Sequence, residues 1–166
     1  MTTTLQWKKG LFKCAYQLFE KDRVAGKLKE SPWSIGSAHG SLNEHQLHFK
    51  VKGAFTQVAV ITDKLTGQRI GQVKFNCWWP KARIIINGSE YEWKFKNVLS
   101  SRWKISSIGT NEIMDYRGAS WKGSMQSETI DNDALTLTGL FVVNFYWQMA
   151  AVYIACFTPI WIFWFK

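Results

Sequence analysis

From Leu5 to about residue 130, apolar positions recur at every second residue. In "SEYEWKFK", Tyr91, Trp93 and Phe95 fall on one face, with Glu90, Glu92, Lys94 and Lys96 on the other. In "QLHFKVKG", Leu47, Phe49 and Val51 alternate with His48, Lys50 and Lys52. Successive side chains on a strand point to opposite sides, so this pattern marks half-buried antiparallel strands. Polar turns separate them: "EKDR" after "AYQLF", "DKLTGQ" between "FTQVAVI" and "RIGQVKF", "IGTNE" between "RWKISS" and "IMDYR", and "RGAS" before "WKGSMQ". Asn87-Gly88, between "RIII" and "SEYEWKF", is a two-residue hairpin signal because both residues tolerate positive φ. The expected total is ten to twelve short strands, the pattern of an all-β barrel or sandwich. The hairpins share no strict period, so solenoids and propellers fit poorly.

The pattern breaks near "ETIDNDALTLTG". Asp131, Asn132 and Asp133 suit a helix N-cap and first turn. Residues 135–165 then carry no charge. A helix from about residue 133 enters this run, and Pro159 is expected to end or kink it, with Thr158 biased away from helix. The chain thus divides as one domain over residues 1–166: strands within 5–131, a hydrophobic helix over 133–157 and an aromatic tail over 158–166.

Two roles compete for that helix. The uncharged run exceeds the ~20 residues that cross a bilayer. Trp161 and Trp164 beside Lys166 would suit an interface belt, giving a single-pass C-terminal anchor behind a β-rich cytosolic domain. Alternatively, a barrel of ten to twelve strands leaves a lumen that its own side chains do not fill. A helix that is apolar all round would fill it. Asn144 and Gln148, four apart on one helix face, would bond strand groups in a barrel or a second helix in a membrane.

Charge bears on partners. The formal net charge is +9, and residues 1–134 hold 20 of the 21 Lys/Arg and all 12 Asp/Glu, hence +8. Such a surface attracts acidic lipid or nucleic acid. Cys14, Cys77 and Cys156 are odd in number and widely spaced, which indicates neither a disulfide framework nor a zinc site. Lys8, Lys9 and Lys13 interrupt any signal-peptide core, so a reduced, cytosolic setting is expected.

No catalytic residue, metal ligand or cofactor is expected, and the chain reads as a non-enzyme. His39, His45 and His48 lack metal-binding spacing, and His45 and His48 straddle an expected turn as solvated residues. Cys14 and Cys77 read as buried, inert thiols. No phosphate-binding glycine loop or nucleophile elbow occurs. Asn87-Gly88-Ser89 matches a glycosylation sequon but reads as the hairpin turn. Two surface elements stand out. If their strands pair, Lys94 and Lys96 would join Arg102 and Lys104 in a cluster on the outer wall able to meet acidic head groups. In "CWWPKAR", Trp78 and Trp79 lie beside Lys81 and Arg83, which suits a membrane interface. Otherwise one or both tryptophans fold back onto the barrel.

The order of segments resembles the tubby C-terminal-like superfamily, which includes the phospholipid scramblases and the LURP-one-related proteins. The matching stretches are "YQLFEKDRVAGKLK", "VAVITDKLTGQRIGQVKF", "RIIINGSEYEWKF", "RWKISSIGTNEIMDYR" and the terminal apolar segment. The resemblance is closest to small bacterial members. It implies a mainly β fold: a roughly twelve-stranded antiparallel closed barrel around a C-terminal hydrophobic central helix. It also implies phosphoinositide-type binding by basic barrel residues, without a residue-by-residue match. The expected function is a non-enzymatic binding or adaptor domain, cytoplasmic and peripheral at the inner membrane face, contacting acidic lipid or a membrane protein. The alternatives are the tail-anchored protein and, more weakly, a nucleic-acid-binding barrel, against which the aromatics alternate into the core rather than onto a stacking platform. Scramblase activity rests on fold analogy alone.

Overall fold

The computed structural model describes residues 3–10, 15–31, 33–53, 57–76, 78–108, 112–119, 121–127 and 132–164, with side chains for all of these but Thr3, Glu112 and residues 157–164. Twelve strands are found among them: β1 (Thr3–Lys9), β2 (Ala15–Glu20), β3 (Arg23–Glu30), β4 (Ser37–Leu42), β5 (His45–Lys52), β6 (Val58–Asp63), β7 (Arg69–Phe75), β8 (Lys81–Ile86), β9 (Ser89–Phe95), β10 (Arg102–Ser107), β11 (Glu112–Ala119) and β12 (Lys122–Ser127). One helix, α1 (Asp133–Trp164), follows. Each strand pairs antiparallel with its neighbours in sequence, and β1 pairs with β12 to close the barrel.

The local chemistry of the turns explains the meander. At Lys21-Asp22 φ is 45° and 66°, and at Asn87-Gly88 it is 49° and 81°. Two consecutive positive φ values twist a two-residue loop in the sense of the flanking strands. A closed barrel then leaves no unpaired edge. His45 and His48 both lie on β5, and the turn precedes them at Asn43-Glu44, where Asn43 takes the positive φ.

Alternation sends Trp7, Tyr16, Leu18, Phe49, Ile61, Trp93, Trp103 and Tyr116 into the lumen. There they meet Leu135, Leu137, Leu140, Phe141, Val142, Val143 and Phe145 of α1. Phe49 stacks on Phe141 with ring centroids 4.5 Å apart, and Phe75 lies 4.2 Å from Phe145. Gly139 lets the opposite wall approach, because a Cβ there would lie 2.5 Å from the Tyr116 hydroxyl. That hydroxyl donates to the Thr136 carbonyl at 3.3 Å.

The helix departs from expectation in two ways. Its buried part stops early: residues up to Asn144 and Phe145 are enclosed, Tyr146 to Met149 are half-buried, and Ala150 to Cys156 are exposed. It also runs on to Trp164 without a break at Pro159. Proline in that position forfeits one bond, to the Ala155 carbonyl, while continuing the helix keeps the neighbouring bonds made. The division at residue 157 therefore gives way to a single helix to Trp164, part plug and part projection, with residues 165–166 of the expected tail outside the described residues. By length and composition α1 can cross a membrane, yet over a third of its apolar window is buried in the barrel.

Candidate functional site

Two polar contacts fix the height of the plug. Tyr16 Oη donates to Oδ1 of Asn144 at 2.9 Å, in a buried position. Gln148 Nε2 donates to Oε2 of Glu30 at 3.1 Å. Glu30, only 7 % exposed, also accepts from Lys9 Nζ at 2.9 Å. Asn144 and Gln148 thus bond strand groups, the barrel alternative of the sequence reading. These bonds lie at the mouth formed by the ends of the odd-numbered strands, through which α1 leaves.

The loops at this exit mouth are built to turn apolar side chains outward. Between β7 and β8, Asn76 Oδ1 accepts from the backbone N of Trp78 at 2.9 Å and of Trp79 at 3.2 Å. Tyr146 Oη donates to the Lys81 carbonyl at 2.6 Å, tying the loop to α1. With its base held at both sides, the loop presents Trp78 (92 % exposed) and Trp79 (74 %). Neither folds back onto the barrel. Between β9 and β10, Asn97 Oδ1 accepts from Ser101 N at 3.1 Å and Arg102 N at 3.0 Å, and Val98 and Leu99 point out. Trp33 and Ile35 are exposed between β3 and β4, and Trp121 between β11 and β12. All four exposed tryptophans among the described residues sit at this mouth. The opposite mouth has the polar turns Lys21-Asp22, Asn43-Glu44 and Asn87-Gly88, with Val24, Leu65 and Ile108 exposed singly. An open groove of about 250 Å³ runs between α1 and the mouth loops, lined by Trp78, Pro80, Phe95, Trp147, Met149 and Tyr153 among others. The side chains of Trp161 and Trp164 lie outside the described residues.

The expected basic cluster forms, but mostly in neutralised pairs. Lys94 lies directly opposite Lys81 on β8 and Lys104 on β10. Glu92 bridges Lys81 and Lys94, the latter at 3.0 Å, and hydrogen bonds first from Lys81 and then Lys94 hold its carboxyl below the ordinary value. Arg83 pairs with Glu90 at 3.0 Å, and Lys96 with Asp115 at 3.3 Å. Lys104 stands opposite Asp115.

Arg102 belongs to a different group, and the sequence reading missed its companions. An open depression of about 610 Å³ on the outer wall is lined by Lys8, Arg102, Arg117 and Lys122, with Trp121, Ser101, Ser124 and Gln6. Among the described residues no acidic one lines it. Arg102 is directly opposite Arg117, and Lys8 directly opposite Lys122. Like charges facing each other across strands are unfavourable, so the array is poised for a counter-anion. Its floor is thin: Gly118 and Gly123 face each other on β11 and β12, and the Trp7 ring lies beneath them. The signal for Arg117 and Lys122 was present in "RGASWK", but their meeting with Lys8 depends on β1 closing against β12.

On the opposite part of the wall, His39 and His48 stack at 4.5 Å. Cys14 and Cys77 lie outside the described residues, and Cys156 is exposed on α1. Among the described residues no group of three or more His, Cys, Asp or Glu could hold a metal ion. No family model, curated protein or solved structure matches this chain.

Proposed function

We propose that this barrel is a non-enzymatic binding domain that works at the cytoplasmic face of a membrane and holds acidic lipid against the depression around Arg102, Arg117 and Lys122. The observation carrying this reading is the depression itself: four cations, two like-charged cross-strand pairs and, among the described residues, no lining carboxylate. Each exposed Lys or Arg near an anionic leaflet contributes about 1 kcal/mol. Lys81, Arg83, Lys94 and Lys96 contribute less, since Glu90, Glu92 and Asp115 answer their charge. The barrel around a central helix also supports the proposal that the chain is of tubby-like type, which the order of its segments suggested.

Vesicle sedimentation tests the reading, using phosphatidylcholine with and without phosphatidylglycerol. Arg102→Glu, Arg117→Glu and Lys122→Glu together should weaken binding to the acidic vesicles by at least about 3 kcal/mol, roughly a hundredfold. Equal binding with and without acidic lipid, or no loss in the triple variant, would rule the site out.

A further inference from the structure

We infer that the exit mouth is a bilayer-inserting face: α1 from Ala150 onward enters the hydrocarbon while Trp33, Trp78, Trp79 and Trp121 settle at head-group level around it. The inference rests on the membrane reading above and adds how the barrel is oriented and held. Four observations select a bilayer over a protein partner.

The first is the helix. From Ala150 to Cys156 every residue is exposed, close to two full turns, and none is charged. A helix resting on a protein would keep a polar stripe on its far side, whereas one apolar round its whole circumference is matched by hydrocarbon. Its length is the second. The stretch from Ala150 to Trp164 extends about 22 Å at 1.5 Å per residue, long enough to reach deep into the about 30 Å hydrocarbon core. The third is the tryptophan ring, whose amphipathic side chains favour the boundary between water and hydrocarbon. The fourth is charge: the depression that carries Arg102 and Lys122 adjoins this mouth through Trp121, so a barrel standing on its mouth brings the cations to anionic head groups. The polar opposite mouth faces water in this orientation.

The test uses the full chain with Cys14→Ser and Cys77→Ser, leaving the exposed Cys156 to carry an environment-sensitive nitrobenzoxadiazole dye. Acidic vesicles should shift its emission to the blue and shield it from dithionite added outside. The protected fraction should persist at roughly 1 M salt, where charge attraction is screened beyond about 3 Å. The variant combining Trp33→Ser, Trp78→Ser and Trp79→Ser, all exposed side chains outside the core, should lose the salt-resistant fraction while still sedimenting at low salt. A dye that reacts with dithionite equally fast with and without vesicles overturns the insertion, even where sedimentation still follows lipid charge. Insertion into neutral phosphatidylcholine that ignores the charge-reversing triple variant supports it and overturns the acidic-lipid site instead. A triple-tryptophan variant that remains inserted at high salt also counts against the rim.

Discussion

Gln148 and Glu30 meet at 3.1 Å, at the level where the helix passes from the lumen into the open. The same carboxylate takes both contacts of Lys9 Nζ, at 2.9 and 3.1 Å. Three strand-end and helix elements are therefore fastened by one nearly buried acid. Its charge is compensated where it stands, and removing it strands two donors.

Glu30→Leu should accordingly destabilise the fold by about 2 kcal/mol, below the range for a fully buried pair because Lys9 keeps some contact with water. Adding Lys9→Met should restore part of the loss. Urea denaturation of the two single variants and the double closes the cycle. Additive losses would show that the pair is not coupled.

Tyr16→Phe should cost about 1–2 kcal/mol, because it leaves the buried Asn144 oxygen without its donor. Tyr16→Phe with Asn144→Leu should be less destabilised than either change alone, since an apolar pair leaves nothing unsatisfied.

Alkaline stability follows from Tyr16 and Tyr116. Burial, joined for Tyr16 by the charge of Glu30, raises both phenols above their ordinary value of 10.0. The folded chain then keeps protons that the unfolded chain releases above pH 10. Stability is full below about pH 10 and falls as pH rises, by about 1.4 kcal/mol per pH unit for each phenol. In an ultraviolet titration of the five tyrosines, these two should ionise only together with unfolding. Free ionisation of all five in the folded protein would contradict their burial.

The stacked His39 and His48 work in the acid direction. Desolvation first, then neighbouring charge lowers both below 6.5: His48, Lys64 and Lys29 act on His39, and Lys50 and Lys64 on His48. The unfolded chain takes up protons at these positions before the folded one does. Their contribution is complete above about pH 6.5 and declines as pH falls below it. Proton NMR should find both rings titrating below 6.5, and His48→Gln should bring the His39 midpoint closer to that value.

Gly123→Ala should destabilise the barrel by about 2 kcal/mol through overpacking. A Cβ there would lie 2.1 Å from Cζ2 of Trp7, so the ring would have to leave its place beneath the depression. Thermal unfolding and near-ultraviolet circular dichroism, which reports the packing of Trp7 against Trp103 and Tyr116, check this together.

Much of the barrel was readable residue by residue. Alternation assigned Trp93, Phe49 and Leu47 to the inside, Asn87-Gly88 marked its hairpin, and Asp131 to Asp133 placed the start of the helix. These are local properties, carried by side chains two to four positions apart. The four-residue spacing of Asn144 and Gln148 put both on one helix face, and only the enclosing barrel decided that strand groups, not a second helix, meet them. Hydropathy could not divide the uncharged run, because residues 135–165 look alike whether enclosed or exposed. Only the depth of the lumen, with Glu30 meeting Gln148, decided that Phe145 is plug and Ala150 is projection. The rim and the depression are likewise properties of closure. Trp33 and Trp121 are far apart in sequence but share a mouth because antiparallel strands return every second loop to the same end. Lys8 reaches Lys122 because the first strand hydrogen-bonds to the last. Local pattern specified the elements and their faces, and ring closure around a helix of finite depth decided which charges and aromatics stand together.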